Sequence, residues 1–119
     1  MTPTLQPATP LLHLGDYRRR SKTTYFNRAE LDQLLGLYSR QVARGEWRDY
    51  AIDHRDGIAV FSVFRHTHET PLYAIAKYAG GRHGDEYVVF NGRQKLHASR
   101  SLGDVLRYFQ KKLALVSSR

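Results

Sequence analysis

The sequence predicts an α+β domain, a five-stranded antiparallel sheet with the N- and C-terminal helices packed on one face, in the order α-β-β-β-β-β-α. Three observations carry that expectation. Two stretches with helical apolar spacing bracket the chain, short β-prone runs fill the middle, and Asp56-Gly57 and Asn91-Gly92 are tight hairpin signals. At 119 residues, with 41% hydrophobic and 25% charged residues, the chain suits a single globular core.

The start of the chain is different. Pro3, Pro7 and Pro10 break any regular element, and the basic run Arg18, Arg19, Arg20 and Lys22 follows. Residues 1–23 therefore read as a disordered basic tail, and 24–119 as the α+β domain.

Order is expected from Phe26. Asn27 is a good N-cap, Glu30 stands three residues on as in a capping box, and Phe26 can staple onto Leu31. Leu31, Leu34, Leu35, Tyr38 and Val42 then follow helical spacing and predict one apolar stripe. Gly45 is the expected residue just past the helix end, with Arg40 and Arg44 near the negative end of the dipole.

Strands follow. Trp47 to His54 alternates, the Asp56-Gly57 turn reverses the chain, and Ile58 to Phe64 is apolar on both faces like a central strand. Leu72 to Ala79 is a third strand, and Gly80 to Gly84 a flexible turn. Glu86 to Phe90 and Arg93 to Ala98 make a second hairpin around Asn91-Gly92. Ser101 then caps a closing helix, with Asp104 at the capping-box position and Leu102, Val105, Leu106, Phe109, Leu113 and Val116 as its stripe.

Tight turns fix register, so faces can be assigned. Tyr50, Ile52, Phe61, Val63, Tyr87, Val89, Leu96 and Ala98 are expected beneath the helices. The opposite face is expected to carry Asp49, Asp53, Val60, Ser62, Phe64, Val88, Phe90, Arg93, Lys95 and His97. That second face is apolar enough to call for a cover or a partner. Val60, Phe64, Val88 and Phe90 are its candidate interface residues.

Charge narrows the partners without choosing one. The formal net charge is +8, and the first 22 residues contribute +3 of it from four bases and one acid. Such a balance attracts polyanions. The candidate phosphate contacts are Arg18, Arg19, Arg20, Lys22, Arg93, Lys95, Lys111 and Lys112. Cysteine is absent, which excludes disulfide scaffolding and thiolate metal sites. Apolar runs are too short for a membrane span, and the arginines follow Leu11-Leu12 instead of preceding it, unlike a secretory signal. A cytoplasmic protein that does not engage membranes is the expectation.

The run Trp47-Arg48-Asp49-Tyr50-Ala51-Ile52-Asp53-His54 follows a helix that begins Phe26-Asn27-Arg28-Ala29-Glu30-Leu31. With Ala59 to Arg65, Pro71-Leu72-Tyr73 and Lys111 to Val116, it resembles an alphaproteobacterial family catalogued as domain-of-unknown-function 2794. The resemblance spans about Phe26 to Val116 and implies a bacterial cytoplasmic protein. It brings no activity, ligand or site.

Catalytic chemistry is sparsely represented. His66 and His68 are weak metal candidates, which His83 and Asp85 could join across the loops, but two loop histidines do not make the three or four ligands zinc needs. His68-Glu69-Thr70 and His97-Ala98-Ser99 resemble the paired H-x-[ST] motifs of 2H phosphoesterases, at a much closer spacing than that family uses. Ser62, His97 and Asp49 form a triad only on paper, without a nucleophile elbow. No cofactor is implied, since neither a P-loop nor a dinucleotide fingerprint occurs. Asp49 and Asp53 share a strand face and are expected to pair with bases such as Arg93 or Lys95. The expectation is a non-enzymatic binding or regulatory module that uses the half-apolar sheet face for a protein partner or self-association. The alternative is non-specific nucleic-acid binding, and the remote one a metal- or histidine-dependent phosphoesterase.

Overall fold

The computed structural model describes residues 23–66 and 70–117. It has the expected order: helix α1 (Arg28–Ala43), strands β1 (Asp49–Arg55), β2 (Ile58–Phe64), β3 (Tyr73–Tyr78), β4 (Glu86–Asn91) and β5 (Gln94–Ser99), then helix α2 (Leu102–Ser117). The five strands form one antiparallel sheet in sequential order, β1-β2-β3-β4-β5. The predicted tail lies almost wholly outside the described residues. Thr23 is described, and it bridges Asp56 while the Thr24 amide donates to the Arg55 carbonyl at 2.9 Å.

Helix α1 begins as its sequence dictates. The Asn27 side chain accepts from the Glu30 amide, and Glu30 Oε1 accepts from the Asn27 amide, both at 2.8 Å. The reciprocal pair satisfies two amides that would otherwise lack a partner at the helix start. The helix ends at Ala43, and Gly45, just past the Arg44 cap, has a φ of 78°, a left-handed conformation that a residue with a Cβ adopts only at a cost.

The buried stripe is rotated from the predicted one. Leu34 and Leu37 are the fully buried leucines, flanked by buried Glu30 and Gln41, whereas Val42 is 41% exposed. Two polar residues lie on the central line of the stripe, and that hides its true axis in the sequence. Leu31, Leu35 and Tyr38 flank the core, half-buried.

Both helices cover the same sheet face. One core joins Phe26, Leu34 and Leu37 with Phe61, Val63, Ile75 and Val89, and with Val105, Phe109 and Leu113 of α2. Phe109 lies at its centre, stacked on Trp47 at 5.8 Å and edge-on to Tyr73 at 4.8 Å. Such ring pairs add about 0.5–1.5 kcal/mol beyond burial.

The first hairpin has the expected register, with Tyr50 opposite Val63 and Ile52 opposite Phe61. The second does not. Asn91 pairs with Gln94, so the loop is Gly92-Arg93, one residue later than Asn91-Gly92. Gly92, with φ 61°, supplies the positive φ that hairpin loops of this length require at their first position. A bulge then breaks the ladder at Val89/Phe90, so that Val89 faces His97 while Phe90 faces Lys95. The inserted residue is Leu96, which packs against the core. Past the bulge every side chain changes face. His97 therefore lies on the helix side, and Ala98 opposite Val88 on the outer side, reversing the sequence expectation for both.

Candidate functional site

The outer sheet face comes directly from the register. One row across the strands reads Asp53, Val60, Ala76, Val88, Ala98, and the next reads Ala51, Ser62, Ala74, Phe90, Lys95. Phe64, opposite Asp49, extends it at one end, and Tyr78, opposite both Ile58 and Glu86, at the other. All four interface candidates thus share this face. Val60, Phe64 and Phe90 are half-buried, and Val88 is 2% exposed, which makes it floor rather than contact. Acid stands at one edge, with Asp49 and Asp53 on β1, and the base Lys95 at the other, on β5. Asp53 pairs with Arg55 at 3.3 Å instead of reaching across the sheet, since β1 and β5 are opposite edges.

The candidate phosphate contacts are not brought together. Arg18, Arg19, Arg20 and Lys22 lie outside the described residues. Arg93 is exposed in the β4–β5 turn, and Lys95 is exposed on the outer face. Lys111 lies on α2, on the helix side, where it lines a cleft of about 670 Å³ with His97, Asp104, Arg107 and Tyr108. Lys112 is half-buried on the same helix.

The bulge builds that cleft. His97 stacks on Tyr108 with ring centres 4.5 Å apart and planes 12° from parallel. Its Nε2 is 3.4 Å from Asp104 Oδ2, and Arg107 reaches the other oxygen of that carboxylate at 3.5 Å. A hydrogen bond with Ser99, then one with His97, holds the Asp104 carboxyl below its ordinary range. Asp104 thus has these partners beyond the predicted cap, although its amide does donate the expected bond to Ser101 Oγ at 3.2 Å. Ser62 faces outward and His97 inward, so the paper triad is split across the sheet.

His66 is exposed on the β2–β3 connection, and His68 lies outside the described residues. Among the described residues, no three metal-capable side chains converge.

A buried cluster of charged and polar side chains lies under the start of α1. Lys77 lies on the core face of β3 and donates to Glu30 Oε1 and to the Tyr25 carbonyl, each at 2.8 Å. The Tyr87 hydroxyl donates to Glu30 Oε2. Lys77 and Glu30 side chains are each 9% exposed, and Asp85 stands 3.8 Å from the ammonium. Burial pushes the Glu30 carboxyl up, but the bonds from Lys77, Tyr87 and the Asn27 amide together outweigh it and hold the carboxyl below its ordinary range. Burial, with the adjacent Glu30 carboxylate, pushes the Tyr87 phenol far up. This cluster joins α1 to β3 and β4 and has no open access, so its role is structural. Its trace in the sequence is a lysine in register with Tyr73 and Ile75 on a core-facing strand.

No helix among the described residues is long and apolar enough to cross a membrane. A family model described as "Protein of unknown function (DUF2794)" matches residues 24–106. Neither a curated protein nor a solved structure matches the chain.

Proposed function

The chain belongs to the DUF2794 family of proteins of unknown function, and from that premise we propose a non-enzymatic binding module whose contact surface is the outer sheet face and whose occupant there is a second copy of the chain. The observation that carries this reading is the pattern of that face: an apolar band with Asp49 and the Asp53–Arg55 pair along the β1 edge, and Lys95 on β5 with Glu86 on the adjacent β4 at the other.

Such a face is self-complementary for one symmetry only. A two-fold axis parallel to the strands lays β1 of one copy over β5 of the other, so Asp49 and Asp53 meet Lys95 twice. An axis perpendicular to the strands would instead set acid over acid. Five strands about 4.8 Å apart and about six residues long at 3.3 Å each give roughly 480 Å² per face. Two such faces bury about 1,000 Å², the size at which specific interfaces begin. Association of modest strength follows.

Light scattering on the full chain tests it. The wild type is expected to gain mass with concentration toward twice 13.8 kDa, and Phe64→Glu to stay at 13.8 kDa with an unchanged circular dichroism spectrum. Lys95→Asp is expected to weaken association and reduce its salt dependence. A wild type that remains monomeric at high concentration, or a mass unaltered by Phe64→Glu, would refute the reading. Nucleic-acid binding through the predicted bases is the weaker reading, because Lys95 and Lys111 lie on opposite sides of the domain. A bacterial cytoplasmic setting belongs to the proposal and rests on the family resemblance alone.

A further inference from the structure

The two helices carry the same short device on facing sides. Gly36 and Arg40 stand four residues apart on α1, and Gly103 and Arg107 four apart on α2. Each arginine folds back over its glycine: a Cβ at Gly36 would lie 3.6 Å from Arg40 Nη1, and one at Gly103 would lie 3.7 Å from Arg107 Nη1. All four residues line one depression of about 330 Å³ between the helices, in which Asp32 is the only carboxylate among the described residues.

A second depression of about 380 Å³ adjoins it, shares Arg40 and Gln110, and adds Arg44 and Gln41. Gln41 is 5% exposed, yet its Oε1 is buried without a hydrogen-bond partner. Buried side-chain acceptors are almost always satisfied, so an orphan beside an open groove favours a ligand that brings a donor. Arg107 has a partner in Asp104 at 3.5 Å, on an exposed stretch of helix. Among the described residues Arg40 and Arg44 have no carboxylate within ion-pair reach.

Two guanidinium groups line one groove, and Arg40 has no carboxylate partner among the described residues, which favours an oxyanion; their planar forks match phosphate geometry. The two joined depressions each fall at the lower end of the range of small-molecule sites, about 300–1,000 Å³. We propose that this groove binds a small phosphorylated molecule, with its phosphate between Arg40 and Arg107 and a hydroxyl or amine of its remaining part donating to Gln41 Oε1. Gln110, which lines both depressions, can bond the linkage between the two ends. The site lies on the helix side and does not depend on the outer sheet face.

The test is an amide-resolved NMR titration of the full chain with inorganic phosphate, with ribose 5-phosphate and with a single-stranded oligonucleotide. Ribose 5-phosphate is expected to saturate, to shift Gly36, Gln41, Gly103 and Gln110, and to bind about tenfold tighter than inorganic phosphate. Arg40→Gln combined with Arg107→Gln, both at exposed positions, is expected to weaken both phosphates at least about tenfold. Gln41→Leu is expected to weaken ribose 5-phosphate alone. No saturable shift from either phosphate, or shifts unchanged in the double arginine variant, would overturn the proposal. So would a response to the oligonucleotide only, spread over the bases of both faces, which is general polyanion attraction. Equal losses of both phosphates in Gln41→Leu would overturn the part given to that side chain.

Discussion

Replacing Lys77 with methionine keeps most of the aliphatic stem and removes the one buried cation among the described residues. Glu30 Oε1 then loses a partner at 2.8 Å, and the Tyr25 carbonyl loses its donor at the same distance. Breaking a buried pair in this way costs about 3–5 kcal/mol, because the remaining carboxylate stays buried with only the Tyr87 and Asn27 bonds and no counter-charge. Against a total stability of about 5–15 kcal/mol that loss is large. At about 4–8 °C per kcal/mol for a domain near this size, the melting temperature should fall by about 12–40 °C.

The loss should also depend on pH in a defined direction. In the wild type the Glu30 carboxyl is held below its ordinary value of 4.5, so its contribution is present above that pH and fades as pH falls through the folded-state value. In Lys77→Met the bond and the charge of Lys77 no longer lower the Glu30 carboxyl, so it rises from its wild-type position and ionised Glu30 contributes less to folding. The gap between variant and wild type should therefore be widest at neutral pH and shrink toward pH 4. Urea unfolding followed by fluorescence of the buried Trp47 measures it at both pH values. Adding Glu30→Gln to Lys77→Met should recover about 1–3 kcal/mol at neutral pH. A variant within about 1 kcal/mol of wild type, or a gap that is the same at both pH values, would refute the assignment of this cluster as a tight ion pair.

Three other outcomes follow from single features. Asn27→Ala removes half of the capping box and should cost about 1 kcal/mol in urea unfolding, with no change in assembly state. Gly80→Ala would set a Cβ 1.8 Å from the Gly84 carbonyl oxygen, so the β3–β4 connection must rebuild. A cost of about 1–3 kcal/mol, with amide shifts confined to that connection and the strand ends beside it, is the expected readout. Phe64→Glu should lower assembly mass while shifting the melting temperature little, since Phe64 is half-buried on the face away from the core.

The elements that could be read from the sequence are those that local chemistry specifies. Asn27 with Glu30, and Ser101 before Leu102, mark helix starts because a side chain three residues away can satisfy a free amide. Asp56-Gly57 sets the first hairpin because only a few residue pairs fit a two-residue turn, and the register of β1 on β2 follows. The second hairpin turns one residue later than its signal, and beyond the turn the bulge at Val89/Phe90 inserts Leu96, an extra residue that period-two counting cannot register. That single residue moves His97 from the outer face to a stack on Tyr108.

The buried cluster was legible only in part. Glu30 reads as a capping residue and Lys77 as an odd lysine in a strand; nothing local connects positions 47 residues apart. Gln41 and Arg40 likewise read as ordinary polar helix residues until α2 packs beside them and turns their surface into a groove. Sequence by itself therefore determined the element order, the helix caps, the first hairpin and the apolar character of the outer sheet face, all of which depend on residues a few positions apart. Tertiary structure alone decided the register of β5, the Glu30–Lys77–Tyr87 cluster and the paired arginines between the helices. Each of those depends on which distant side chains meet once the core closes, and packing selects that in space rather than along the chain.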